Sequence, residues 1–243
     1  MVTKWKNRLK FFLTKKDFFT STFNMLKDKQ CLKIYAITDR NSIERGFRGR
    51  KITDAVEQAI IGGATIIQIR EKQLNVQEFL DEALEIKQIT DKYNIPLIIN
   101  DNVEVALACK AHGVHIGQDD MNVIEARKIL GDQVIIGVSA TNLQEAIDAE
   151  KNGADYLGVG ALFPEYMQSK PDAKCVSLEE LRLIIQSVKI PVVAIGGIKI
   201  QTIDRLKNTN IDGVAVISAI FANQDIITST KEFVKKVNNV VKK

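Results

Sequence analysis

The chain has 243 residues, 45% of them hydrophobic and 26% charged, with a formal charge of +4, which suits one globular α/β domain. Positions 1–30 hold eight Lys or Arg and two acidic residues, so they carry +6 and leave the remainder near −2; the body gives no electrostatic reason to expect nucleic-acid binding. No apolar run approaches the roughly 18 residues of a membrane span, and Cys31, Cys109 and Cys175 are too scattered for a metal pair or a disulfide framework, which points to a reduced, cytoplasmic compartment.

In chain order, residues 1–32 stand apart as a basic extension in which Trp5, Leu9, Phe12, Phe19, Phe23 and Leu26 recur at roughly helical spacing among lysines. An added helix docked on the body, or an irregular tail, is the expectation. A membrane-surface helix and a transit peptide are alternatives. A secretory signal is disfavoured because Lys15, Lys16 and Asp17 interrupt the apolar segment.

From residue 33 to 243 short β-branched runs alternate with amphipathic stretches. Strands are predicted at 33–38, 64–70, 96–100, 113–116, 133–138, 155–159, 191–195 and 212–217. Helices are predicted at about 52–62, 76–93, 102–111, 121–130, 142–152, 177–187, 200–208 and 224–241. Eight such units predict a (β/α)₈ TIM barrel with an N-terminal helical extension. An open doubly wound sheet would normally show a glycine-rich turn after its first strand, and Thr38-Asp39-Arg40 is not one. Arg45, Arg48, Arg50 and Lys51 read as a solvated loop.

In this architecture the C-terminal strand ends share one mouth. On strand two, alternation turns Gln68, Arg70 and Lys72 inward and Ile67 and Ile69 outward. Two cations at a barrel mouth need an anionic partner, such as a diphosphate or nearby carboxylates. Asp101 follows strand three and Asp120 follows strand four. Two carboxylates at adjacent strand ends make a hard-oxygen site suited to Mg²⁺; the alternative is that Asp119 or Asp120 caps helix 121–130. Ser139 reads as a turn residue unless a ligand reaches it. Gly196-Gly197 after strand seven and Ile217-Ser218 after strand eight occupy the recurrent phosphate cradle of the fold. His112 and His115 carry no assigned role.

The runs YAITDR, QIREK, IINDN, GVHIGQDD, GVSAT, DYLGVGALFP, PVVAIGGI and DGVAVISAI, which fall in order between residues 33 and 221, resemble the thiamine-phosphate synthase family. The resemblance implies a transferase that joins hydroxymethylpyrimidine diphosphate to a thiazole phosphate with Mg²⁺ and releases diphosphate. It implies that the QIREK run (Gln68, Ile69, Arg70, Glu71 and Lys72) and Asn100 bind the pyrimidine diphosphate, that Asp101 and Asp120 hold the metal, and that Ser139 meets the pyrimidine side. Gly197, Ile217 and Ser218 would hold the thiazole phosphate, and Arg70, Lys72, Ser139 and Lys170 are the candidate catalytic side chains.

One segment departs from the family. The usual Pro-Thr-x-Thr-Lys after strand six is replaced by residues 164–173, where Ser169 stands for the second threonine if Lys170 matches the lysine. A thiazole tautomerase-like isomerase is the nearest alternative, but it does not need Lys72, Asp101 and Asp120 together. A non-catalytic phosphate-ligand binder is another. The partners expected are small molecules, with self-association into a homo-oligomer left open.

Overall fold

Period-two alternation in short runs of Ile, Val, Leu and Ala makes strands with two different faces, and eight of them close on each other. The structure, a computed structural model, describes residues 29–163 and 175–241. The strands are β1 Ile34–Ile37, β2 Ile66–Ile69, β3 Leu97–Asn100, β4 Gly113–Ile116, β5 Ile135–Ala140, β6 Tyr156–Val159, β7 Val192–Ile195 and β8 Gly213–Val216. Each pairs in parallel with the next, and β8 returns to β1 through Ile34↔Val214, so the barrel is closed in sequence order. The expected fold is the fold observed.

The helices are α1 Arg40–Gly46, α2 Ile52–Gly62, α3 Val76–Lys92, α4 Val103–Ala108, α5 Val123–Leu130, α6 Leu143–Lys151, α7 Leu178–Ser187, α8 Ser218–Phe221 and α9 Ile226–Val237. Their starts are written locally. Asn75 forms a reciprocal capping box with Glu78 at α3, and Asn102, Asn122, Asn142, Ser177 and Asp225 each accept a first-turn amide. The outward strand residues, among them Ile67, Ile69, Ile99, Val114, Leu157 and Val214, form one buried core with the helices. The inward residues Tyr35, Ile66, Ile98, Ile135, Tyr156, Val193 and Ala215 form a second cluster inside the barrel. No helix of the described residues is long and apolar enough to cross a membrane.

Four expectations are corrected. The stretch after β1 is not all loop: Asp39 accepts the Ser42 amide at 2.9 Å and caps α1, and Arg50 ties the following turn to the Asn223 carbonyl at 3.0 Å. Strand β5 runs two residues further than predicted, so Ser139 is a strand residue paired with Gly158 and not a turn residue. The helix expected at 200–208 is only a 3₁₀ turn, Ile203–Leu206. There the Thr202 hydroxyl accepts the Lys199 amide at 2.9 Å, a local bond that competes with the helical ladder, and Asn208 takes a left-handed φ of 63°. From sequence each cysteine is expected to be a small buried or half-buried residue; Cys31 is half-buried and Cys109 buried, but Cys175 is exposed. The N-terminal extension, apart from its last residues, lies outside the described residues.

Candidate active site

Three adjacent strands deliver the charged cluster. Beyond β3, Asp101 turns through a left-handed φ of 62°, a conformation that Asp tolerates better than most residues. Its amide donates to the His115 carbonyl at 2.8 Å, which locks the turn to β4. From this position Asp101 pairs with the Lys72 ammonium from beyond β2. Asp120, beyond β4, accepts the Gly117 amide at 2.7 Å. Burial raises the Asp101 carboxyl above the usual carboxylate range; Lys72 opposes that rise and the neighbouring Asp120 adds to it. Asp101 is therefore paired with Lys72 and lies near enough to Asp120 to feel its charge. The capping alternative does not hold: Asn122 accepts the Ile124 amide at 2.8 Å and caps α5.

The donor set fits Mg²⁺. Among the described residues no group of three His, Cys, Asp or Glu could enclose an ion. Mg²⁺ commonly takes one or two carboxylates and completes its shell with water and phosphate oxygens. A pair of carboxylates with a lysine beside it matches that habit.

The other site residues occupy distinct surroundings. Arg70 is partly exposed, with Nη1 3.8 Å from Asp39 and its amide donating to the Thr38 hydroxyl at 3.0 Å. Asn100 ends β3 half-buried. Gln68 is almost fully buried inside the barrel. The side chain of Ile69 lies in the outer core, so only its backbone faces the mouth region. The Glu71 side chain, 2% exposed, turns away to Arg40 at 3.0 Å, and Arg40 also holds Glu82 at 2.7 Å. Burial and the Glu82 charge raise the Glu71 carboxyl, with Arg40 pulling the other way. This brace anchors the loop that carries Lys72 to α3 and the start of α1.

At the opposite rim, Gly196 and Gly197 take φ of 94° and 72°. A Cβ on Gly196 would stand 2.6 Å from the Ala161 backbone, so the β7 turn can lie this close to the β6 turn only with glycine there. Ile217 and the exposed Ser218 lie beside it at the end of β8, with Ser218 opening α8. Ser169 and Lys170 lie outside the described residues.

Sequence reasoning missed one feature, a line of polar side chains across the barrel interior. Gln68 Nε2 donates to Tyr35 Oη at 2.8 Å, and Tyr35 Oη lies 2.7 Å from Tyr156 Oη. Tyr156 Oη is 2.9 Å from His115 Nδ1, and His115 Nε2 is 2.9 Å from Ser139 Oγ. Burial pushes the His115 imidazole down to about 4. The available signal was alternation, which puts His115 on the inward face of β4 between Gly113 and Gly117. His112, by contrast, accepts the Leu97 amide at Nδ1 at 3.0 Å and is structural.

The comparisons with known proteins bear on the family and the fold. The model of the thiamine monophosphate synthase family matches residues 34–220. Thiamine-phosphate synthase of Clostridium tetani is 49% identical over 199 residues, covering 82% of this chain and 92% of the relative. The synthase of Ruminiclostridium cellulolyticum is 47% identical over 210 residues, covering 86% and 97%. The solved thiamine phosphate pyrophosphorylase of Pyrococcus furiosus superimposes with a TM-score of 0.79 at 40% identity, covering 87% of this chain and 98% of that one. With a family match across nearly the whole barrel and relatives aligned over almost their full length, the chain belongs to the thiamine monophosphate synthase family.

Proposed function

We propose that this chain is a transferase that condenses 4-amino-2-methyl-5-hydroxymethylpyrimidine diphosphate with thiazole phosphate, giving thiamine phosphate and diphosphate. The observation that carries the reading is the Lys72–Asp101 pair with the Asp120 carboxylate nearby, beyond strands β2 to β4, in a chain 47–49% identical to thiamine-phosphate synthases. Neither a tautomerase nor a simple phosphate binder requires a carboxylate pair poised beside a lysine.

In this reading the bond between the pyrimidine methylene and the diphosphate oxygen breaks, and its electron pair leaves with diphosphate. The electron-rich aminopyrimidine supports the cationic methylene. The thiazole nitrogen then supplies the pair for the new C–N bond. No side-chain nucleophile is required, so the rate comes from positioning and electrostatics.

Lys72 and Arg70 face the diphosphate and balance its growing charge. Gln68, Ser139 and Asn100 orient the pyrimidine half, and the brace of Arg40 with Glu71 and Glu82 keeps the Lys72 loop in register. The backbones around Gly197, Ile217 and Ser218 receive the thiazole phosphate; Ser169 and Lys170, outside the described residues, are assigned to the same substrate by the family resemblance alone. Asp101 and Asp120 would hold Mg²⁺, which when bound stabilises negative charge on the leaving diphosphate.

A coupled assay for diphosphate release tests the proposal. Release that requires both substrates and yields thiamine phosphate supports it. Binding of both substrates without turnover refutes it.

A further inference from the structure

The interior line of side chains has a direction set by hydrogen-bond arithmetic. An amide nitrogen only donates, so Gln68 Nε2 fills an acceptor position on the Tyr35 hydroxyl. Tyr35 has a single buried proton, and Tyr156 Oη at 2.7 Å is its neighbour in the line, so donation from Tyr35 to Tyr156 is the direction that leaves no buried hydroxyl proton without an acceptor. Tyr156 in turn donates its own proton to His115 Nδ1 at 2.9 Å. An imidazole that accepts at Nδ1 carries its proton on Nε2, and that proton is donated to Ser139 Oγ at 2.9 Å. The protons of Tyr35, Tyr156 and His115 Nε2 are then committed, and the hydroxyl proton of Ser139 is left for a ligand. The Ser139 carbonyl is fixed as well, by Gln118 Nε2 at 2.6 Å.

We propose that His115 and Tyr156 are positioning residues that make Ser139 a committed hydrogen-bond donor to an acceptor atom of the pyrimidine substrate. The proposal rests on the synthase reading above and identifies what orients the serine in it. The ligand chemistry it selects is a neutral heteroaromatic acceptor, such as a ring nitrogen lone pair.

The barrel is shaped around this line. A Cβ on Gly137 would stand 2.1 Å from Tyr156 Cζ, and one on Gly158 would stand 3.0 Å from His115 Cε1. Strands β5 and β6 thus carry glycine where the two rings pass. The rings also pack on one another at tilted angles, with centroids 5.9 Å apart for Tyr35 and Tyr156 and 5.5 Å apart for His115 and Tyr156. The line joins Gln68 on β2 to Ser139 on β5, so two groups on opposite sides of the pyrimidine site are oriented by one network.

The test has two readouts on the full chain. Ring-nitrogen NMR is simple because the protein has two histidines, and the spectrum of His115→Gln identifies the His115 signals. A protonated Nε2 with a bare Nδ1 on His115 is the expected result, and a proton on Nδ1 overturns the proposal. In steady-state kinetics, Tyr156→Phe removes the donor to Nδ1 and keeps the ring. Its KM for the pyrimidine diphosphate should rise about tenfold, the loss of roughly one neutral hydrogen bond, with the KM for the thiazole phosphate unchanged within about twofold. Equal changes in both constants, or in neither, overturn the positioning role. A wild-type chain that releases no diphosphate refutes the synthase reading alone, and the nitrogen spectrum then decides the proton direction by itself.

Discussion

Replacing Gly137 with alanine is predicted to disrupt the barrel interior through a single contact. The added Cβ would lie 2.1 Å from Tyr156 Cζ and 2.3 Å from its hydroxyl oxygen, more than 1 Å inside ordinary contact. Tyr156 is fully buried, so its ring cannot swing to solvent. Overpacking of this kind costs about 1–3 kcal/mol. Displacing the hydroxyl also breaks its bonds to Tyr35 and His115, at about 1 kcal/mol each. The expected loss is therefore about 3–5 kcal/mol, or roughly 10 °C in thermal midpoint for a domain of this size. The assay is urea denaturation of Gly137→Ala, Tyr156→Ala and the double variant, read as a cycle. With the tyrosine ring gone, Gly137→Ala should cost under about 1 kcal/mol. A single variant as stable as wild type, or an equal penalty in both backgrounds, would refute the reasoning.

Other outcomes follow from the same geometry. Arg40→Ala leaves the Glu71 and Glu82 carboxylates, 2% and 14% exposed, without their cation and should destabilise by about 2–4 kcal/mol. Burial already raises Glu71, so the folded variant binds more protons than the unfolded chain; the penalty should shrink as pH falls from 8 to 5, as urea midpoints will show. His112 is pushed down to about 4, mainly by burial and secondly by Lys87. The unfolded chain therefore binds the extra proton, and this residue removes about 3 kcal/mol of stability as pH falls from about 6.5 to 4. His112→Asn, which keeps an acceptor for Leu97, should flatten the wild-type stability curve over that window. Lys72→Ala should lower kcat roughly a hundredfold with an unchanged unfolding midpoint, because its side chain is 53% exposed.

The barrel was legible because each strand shows its two faces locally, as in Gln68 and Arg70 against Ile67 and Ile69, and because capping residues such as Asn75 and Ser177 mark where helices begin. The carboxylates proposed to hold the metal were legible for a topological reason: neighbouring parallel strands end side by side, so the segments carrying Asp101 and Asp120 follow paired strands β3 and β4. Helix α1 was hidden by its seven-residue length and its run of polar residues. Glu71 sits in a run that the family resemblance assigns to substrate binding, yet its partner Arg40 lies 31 positions away. The interior line was least legible of all, since Tyr35 and Tyr156 are 121 positions apart. A single histidine on a strand gives no hint that its two nitrogens are taken by residues from β5 and β6.

The most direct measurement is diphosphate release by the wild-type chain and by the Asp101→Ala, Asp120→Ala double variant, each with both substrates over a Mg²⁺ titration. The wild type should release one diphosphate per thiamine phosphate formed, and a chelator should abolish the reaction. The double variant should keep its fold and lose about a thousandfold in rate, the several kcal/mol of charge stabilisation that a bound ion supplies. Mg²⁺-dependent turnover undiminished in that variant would contradict the account, because the two carboxylates would then have no part in holding the ion.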